Sequence, residues 1–104
     1  MTVAGRVDCH AHCFDRAVQP IGGGSAFDLH PNELGSVEHF GAVLDSHGIT
    51  HAVLVNPLGG YGTDNSYLLH VLRQQPDRFR GIALLAEDAD DREVAELVGA
   101  SVRG

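Results

Sequence analysis

Three short runs of strand-forming residues in this chain are each followed by a segment with helical periodicity, and that alternation leaves few folds open. Arg6 to Phe14 is the first run, with small apolar residues (Val7, Cys9, Ala11, Cys13) alternating against Asp8, His10 and His12. Strict period-two alternation puts those two sets on opposite faces of a strand. A long glycine-rich connection, Asp15 to Leu34, leads to a helix predicted over Gly35 to His47. There Val37, Phe40 and Leu44 fall on one face, and Gly48 stands where a helix C-terminal glycine belongs.

Ile49 to Val55 is a mostly apolar, β-branched run, as expected of a strand buried on both faces of a parallel sheet. Asn56-Pro57 ends it, and Leu58 to Gly62 forms a second glycine-rich loop. Thr63 or Asp64 can cap the next helix, whose apolar side is Leu68, Leu69 and Leu72 with Val71 at its margin. That helix runs to about Gln75, and Pro76 stops it. Phe79 to Ala86 reads as a third buried strand. Asp88 to Asp91 then opens an acidic helix start suited to the dipole, with Val94, Leu97 and Val98 as its apolar side and Gly99 as its close. Ser101 to Gly104 looks like the approach to a fourth strand. The order β-α-β-α-β-α predicts a parallel sheet with right-handed crossovers, in one domain over residues 1–104.

Charge narrows the partners. Seven basic residues, all arginine, stand against 14 acidic ones, giving a formal charge of -7. Such a chain repels phosphate backbones and anionic lipid, so neither nucleic acid nor a membrane surface is expected as a partner. The longest apolar run, Ile82 to Ala86, is far shorter than a bilayer span, and the first six residues have no apolar leader. A cytoplasmic location is the expectation. The absence of lysine excludes Schiff-base chemistry and a carboxylated-lysine metal bridge within this chain. Cys9 and Cys13, four apart on a strand, lie about 13 Å from each other and are expected as reduced, buried thiols.

The residues able to do chemistry gather at strand ends. Asp8, His10 and His12 share a face under strict alternation, with the two imidazoles at the carboxyl end of the first strand, where sites form in α/β sheets and barrels. Two neutral imidazoles so spaced can converge on one divalent ion, although a catalytic zinc keeps three protein ligands. His30, in the long first loop, reads either as a further residue of that site or as an ordinary loop histidine. His39, His47, His51 and His70 read as solvated or structural. The second cluster, Asn56 through Asn65, follows the second strand. Its glycines allow close backbone approach, and Asn56, Tyr61, Thr63, Asp64 and Asn65 offer hydrogen-bond partners to a polar substrate. Neither a phosphate loop nor a nucleophile elbow is present.

The opening VDCHAHCF resembles the His-x-His first strand of the amidohydrolase superfamily. The later run GITHAVLVNP…YGTDNSYLLHVLRQQPDRFRGIALL is similar to the branch containing 2-pyrone-4,6-dicarboxylate lactonase, with GTDN followed by a leucine-rich helix and RFRG as its more specific signature. The resemblance runs from about Arg6 to Gly104. It implies a (β/α)8 TIM barrel of which this chain is about the first three-eighths, a full barrel needing about 250 residues. It also implies His10 and His12 as catalytic and metal-binding residues, with Asn56, Tyr61, Thr63, Asp64, Asn65 and His30 binding substrate. The implied activity is hydrolysis of a lactone or related cyclic carboxylate by activated water, with a divalent metal such as Zn²⁺, although the pyrone lactonase type works without one. The serine usual after the second strand is absent from Asn56-Pro57-Leu58-Gly59-Gly60. The family's substrate-gripping arginines and final-strand aspartate fall outside these 104 residues, so the chain alone is expected to be inactive. Decarboxylation within the same superfamily, or a non-enzymatic metal-binding or interaction module, are the alternatives. Three strands with two open edges lead to an expectation of self-association.

Overall fold

The computed structural model describes residues 5–21 and 34–104. Three strands, β1 (Val7–Ala11), β2 (His51–Val55) and β3 (Phe79–Ile82), alternate with three helices, α1 (Val37–Ser46), α2 (Ser66–Gln74) and α3 (Asp91–Gly99). The sheet order is β1-β2-β3 and both pairings are parallel, as the alternation requires. Residues of all three helices (Val37, Leu44, Leu68, Val71, Leu72, Leu97) share one buried cluster with Ala52 and Leu54 of β2 and Phe79 of β3. On the other side of the sheet Arg80 and Ile82 are exposed and Val53 and Val55 half-buried. Helices on one face only make this a segment of a barrel wall rather than a doubly wound sheet. It also corrects the expectation that β2 is buried on both faces: its residues alternate in burial.

The helix ends follow local chemistry. Ser36 caps α1 by accepting the amide of His39, and Gly48 takes φ +66 beyond the end of that helix. The helix begins later than Gly35 because the carbonyl of that residue accepts from Phe14 N, tying it to the end of the first strand. Asp90 caps α3 through Glu93 N, and α2 ends just before Pro76. α3 closes at Gly99 as expected, with Ala100 as the capping residue and Ser101 beyond it in the left-handed region at φ +73. Val94 and Val98, expected in the core, are 39% and 56% exposed, and only Leu97 of α3 is fully buried. The two valines border an apolar groove of about 490 Å³ with Ala83, Leu85 and Val102.

After α3 the chain returns to β3 through one isolated parallel bridge, Gly81 to Val102. Gly81 N donates to Ser101 O, Arg103 N to Gly81 O and Ala83 N to Gly104 O, laying residues 101–104 parallel to β3. Val102 N is taken by Leu97 O and Val102 O by the Arg103 guanidinium. The far side of β3 is therefore paired with residues 101–104. No helix among the described residues is long and apolar enough to cross a membrane.

Register holds the main correction to the sequence reading. Val7 pairs with His51, Asp8 with Ala52, and Ala11 with Leu54, so the first strand carries one residue more than the second between the last two pairings. This is a β-bulge, and it inverts the phase of the strand. Asp8 pairs with a buried residue of β2, whereas His10 and His12 lie to either side of Ala11, which itself pairs with a buried residue. Asp8 therefore does not share a face with the histidines. Within the bulge Cys9 is exposed; only Cys13 is a buried thiol.

Candidate functional site

The histidine pair is the feature the strand end displays most openly. Both residues are exposed, and their rings stand 5.0 Å apart between centroids at 89°. His12 Nδ1 lies 2.8 Å from the carbonyl oxygen of Val55, at the end of β2. A carbonyl only accepts, so Nδ1 carries the proton and the lone pair of the neutral ring sits on Nε2. Such a bond fixes both tautomer and ring orientation, as in histidines poised to bind a metal or accept a proton. The donor set is chemically suited to zinc but short. Two imidazoles are present where a catalytic zinc keeps three protein ligands, and the described residues contain no group of three His, Cys, Asp or Glu side chains able to hold an ion.

The second-strand loop reaches the same rim, because parallel neighbours end at the same edge of the sheet. Its asparagines and tyrosine are buried and turned to holding the loop. Asn56 Nδ2 donates to the carbonyls of Gly62 and Asp64 at 3.0 and 3.1 Å. Tyr61 donates its hydroxyl hydrogen to Gln19 O at 2.8 Å and accepts from Asp15 N at 3.0 Å. Burial raises its pKa, as does the negative charge of Asp15 and Asp64, against a lowering hydrogen bond from the Asp15 backbone. Tyr61 thus remains a neutral donor that fastens the two loops together. Asn65, at the N-cap of α2, makes no capping bond, since its amide is engaged with Thr63 O and with the main chain of Leu84. The task passes to Asp64, whose Oδ1 accepts from both the amide and hydroxyl of Ser66.

Thr63 and Asp64 are exposed, and with Ser66 they line a depression of about 290 Å³ shared with Glu93 and Glu96 of α3. They sit on the rim, in a depression whose lining does not include the histidine pair. His30 lies outside the described residues. Gln19 is the residue the sequence did not single out: buried, it accepts Tyr67 N through Oε1 at 2.8 Å and donates through Nε2 to Asp64 O at 3.4 Å. It docks the first loop on the first turn of α2. A lone glutamine between Val18 and Pro20 in a polar connection carries no pattern by which it could have been found.

No family model matches this sequence, and no curated protein does. Solved structures do match. The chain aligns over 97% of its length, at 31% identity and TM-score 0.82, with a "probable 2-pyrone-4,6-dicarboxylic acid hydrolase" of Acinetobacter baumannii, crystallised with citric acid bound. It aligns over 96%, at 34% identity and TM-score 0.80, with a protein of similar designation from Pseudomonas putida. The fold is a partial TIM barrel. The chain spans 36% and 35% of those two proteins, about a third of each. A third match, from Agrobacterium tumefaciens at 17% identity and TM-score 0.77, bears on the fold alone.

Proposed function

We propose that this chain contributes the first-strand histidines and the second-strand loop of a lactonase-type hydrolase site whose substrate is a small cyclic ester bearing carboxylates. The observation that carries the reading is the likeness, above 30% identity over nearly the whole chain, to two proteins designated 2-pyrone-4,6-dicarboxylic acid hydrolases. Citric acid, bound in one of them, is itself a small polycarboxylate.

In the proposed reaction, water adds to the lactone carbonyl carbon, the ring C–O bond breaks, and a carboxylate and a hydroxyl result. His12 contributes through Nε2, where the tautomer set by Val55 O leaves a lone pair to orient or receive a proton. His10, 5.0 Å away ring to ring, presents a second polar group to the same substrate atoms. Bound zinc would supply Lewis acidity. His10 and His12 would hold it, one imidazole short of its usual three protein ligands. Thr63 offers the substrate a hydroxyl at the rim, where Asp64 spends its carboxylate on the start of α2.

Titration of the ¹⁵N-labelled chain with 2-pyrone-4,6-dicarboxylate tests the proposal, with loss of pyrone absorbance followed in parallel. Shifts at the His10 and His12 rings and along 56–65 are expected, those along 56–65 being lost in the H10A/H12A variant. Shifts confined to Glu93 and Glu96, or none, would sink it.

A further inference from the structure

We propose that Asp8 is the positioning residue that holds His10 and His12 on the open face of the sheet. The inference rests on the reading of that pair as the functional one, and it comes from register. Asp8 pairs with Ala52, which is buried beneath the helices. Unbroken alternation from Asp8 would carry His10 and His12 onto that same helix-facing side, among Leu54 and its neighbours. Instead Ala11 pairs with Leu54, so the phase has inverted by one residue. The bulge is what turns the two imidazoles away from the core.

A bulge disrupts the ladder locally and leaves main-chain groups to find other partners. Here the amide of His10 donates to Asp8 Oδ1 at 3.1 Å. The bond joins the residue before the phase change to a residue after it, and spans only two positions. A carboxylate acceptor makes it a charge-assisted bond. At the other end His12 Nδ1 is tied to Val55 O. With both ties in place the rings meet edge to face at 5.0 Å. Asp8 acts through the backbone of His10.

The competing account is that Ala11 and Cys13, packed into the core, set the bulge without help. NMR on the full chain separates the two. In the wild type, a scalar coupling across the hydrogen bond, from His10 ¹⁵N to Asp8 ¹³Cγ, is expected, together with contacts between the rings of His10 and His12. In Asp8→Ala the His10 amide is expected to exchange about tenfold faster or more, and the ring contacts to disappear, while the remaining spectrum stays dispersed. Asp8→Asn keeps an oxygen acceptor and restores both. Ring contacts and exchange unchanged in Asp8→Ala would overturn the proposal. Should that variant fail to fold, the wild-type coupling decides, and its absence overturns the proposal. None of these readouts uses substrate, so they stand apart from the pyrone titration, whose failure would remove the hydrolase reading alone.

Discussion

Asn65 pairs with the main chain of Leu84 through both halves of its amide, Nδ2 donating to Leu84 O at 3.0 Å and Oδ1 accepting from Leu84 N at 3.4 Å. A side chain at the start of α2 thereby takes the ladder position that a strand would occupy beside the continuation of β3. This explains why the third strand ends at Ile82 although apolar residues run on to Ala86. It also fixes the second-strand loop to the strand after it, so the rim is held from both sides: Tyr61 toward the first loop, Asn65 toward the third strand.

Replacing Asn65 by alanine is expected to cost about 1–3 kcal/mol, since it strips partners from half-buried main-chain groups and leaves a cavity. Asn65→Asp keeps the acceptor for Leu84 N but loses the donor to Leu84 O, and is expected to be destabilised as well. Urea midpoints of the variants check this. Midpoints equal to wild type would mean that the pairing contributes nothing.

Gly81 is small because the helix layer closes over it. A Cβ there would lie 2.7 Å from Leu72 Cδ1 and 3.3 Å from Leu68 Cδ2 and Val102 Cγ2. These side chains are buried, so they give way only by displacing their own neighbours. Gly81→Ala is expected to destabilise by about 1–3 kcal/mol through overpacking. The same variant loosens residues 101–104, which pair with Gly81, so faster amide exchange at Arg103 should accompany the lower midpoint.

The three βα units were legible because their signals are periodic and punctuated. Ile49–Val55 and the leucines of α2 announce strand and helix, and Gly48, Pro76 and Asp90 mark ends where backbone chemistry demands them. The bulge was not legible. VDCHAHC alternates without a break as a string of letters, and the inserted residue shows only when its pairing with β2 is known. For the same reason the histidine pair was readable as neighbours on one face, but the face itself was not. Asn65 and Tyr61 read as polar groups offered to a ligand, because type and position do not reveal that Leu84, Asp15 and Gln19 already engage them. Val94 and Val98 fit an apolar helix side, but periodicity says only which side is apolar. It does not say what covers it.

The two thiols should separate cleanly. Cys9 is exposed beside the bulge, whereas Cys13 is buried, and burial together with the negative charge of Glu38 pushes its pKa up to about 12. Thiolate is the reactive form, so Cys13 is inert near neutral pH. Reaction of the native chain with a disulfide reagent is expected to release one equivalent quickly and the second only in denaturant. Cys9→Ser removes the fast phase. Two fast equivalents would contradict the packing of Cys13 under the sheet.

Buried groups that ionise to anions also set an alkaline limit. The Cys13 thiol rises from 9.0 to about 12 and the Tyr67 phenol from 10.0 to about 12, desolvation being the first cause for each. Both folded values lie above the unfolded ones, so the native state holds its protons where the unfolded chain has released them. Stability from this source is complete below about pH 9 and falls with each further rise toward pH 12, by the linkage of proton binding to unfolding. The thiol begins the loss, and Tyr67, whose hydroxyl accepts Val37 N at the start of α1, adds to it from about pH 10. Urea midpoints are therefore expected to be insensitive to these two groups between pH 7 and 8.5, then to decline. In Cys13→Ala the decline should start about one pH unit later, because only the phenol remains. A midpoint rising through this range, or an identical decline in Cys13→Ala, would show that the thiol is not desolvated where α1, α2 and the sheet meet.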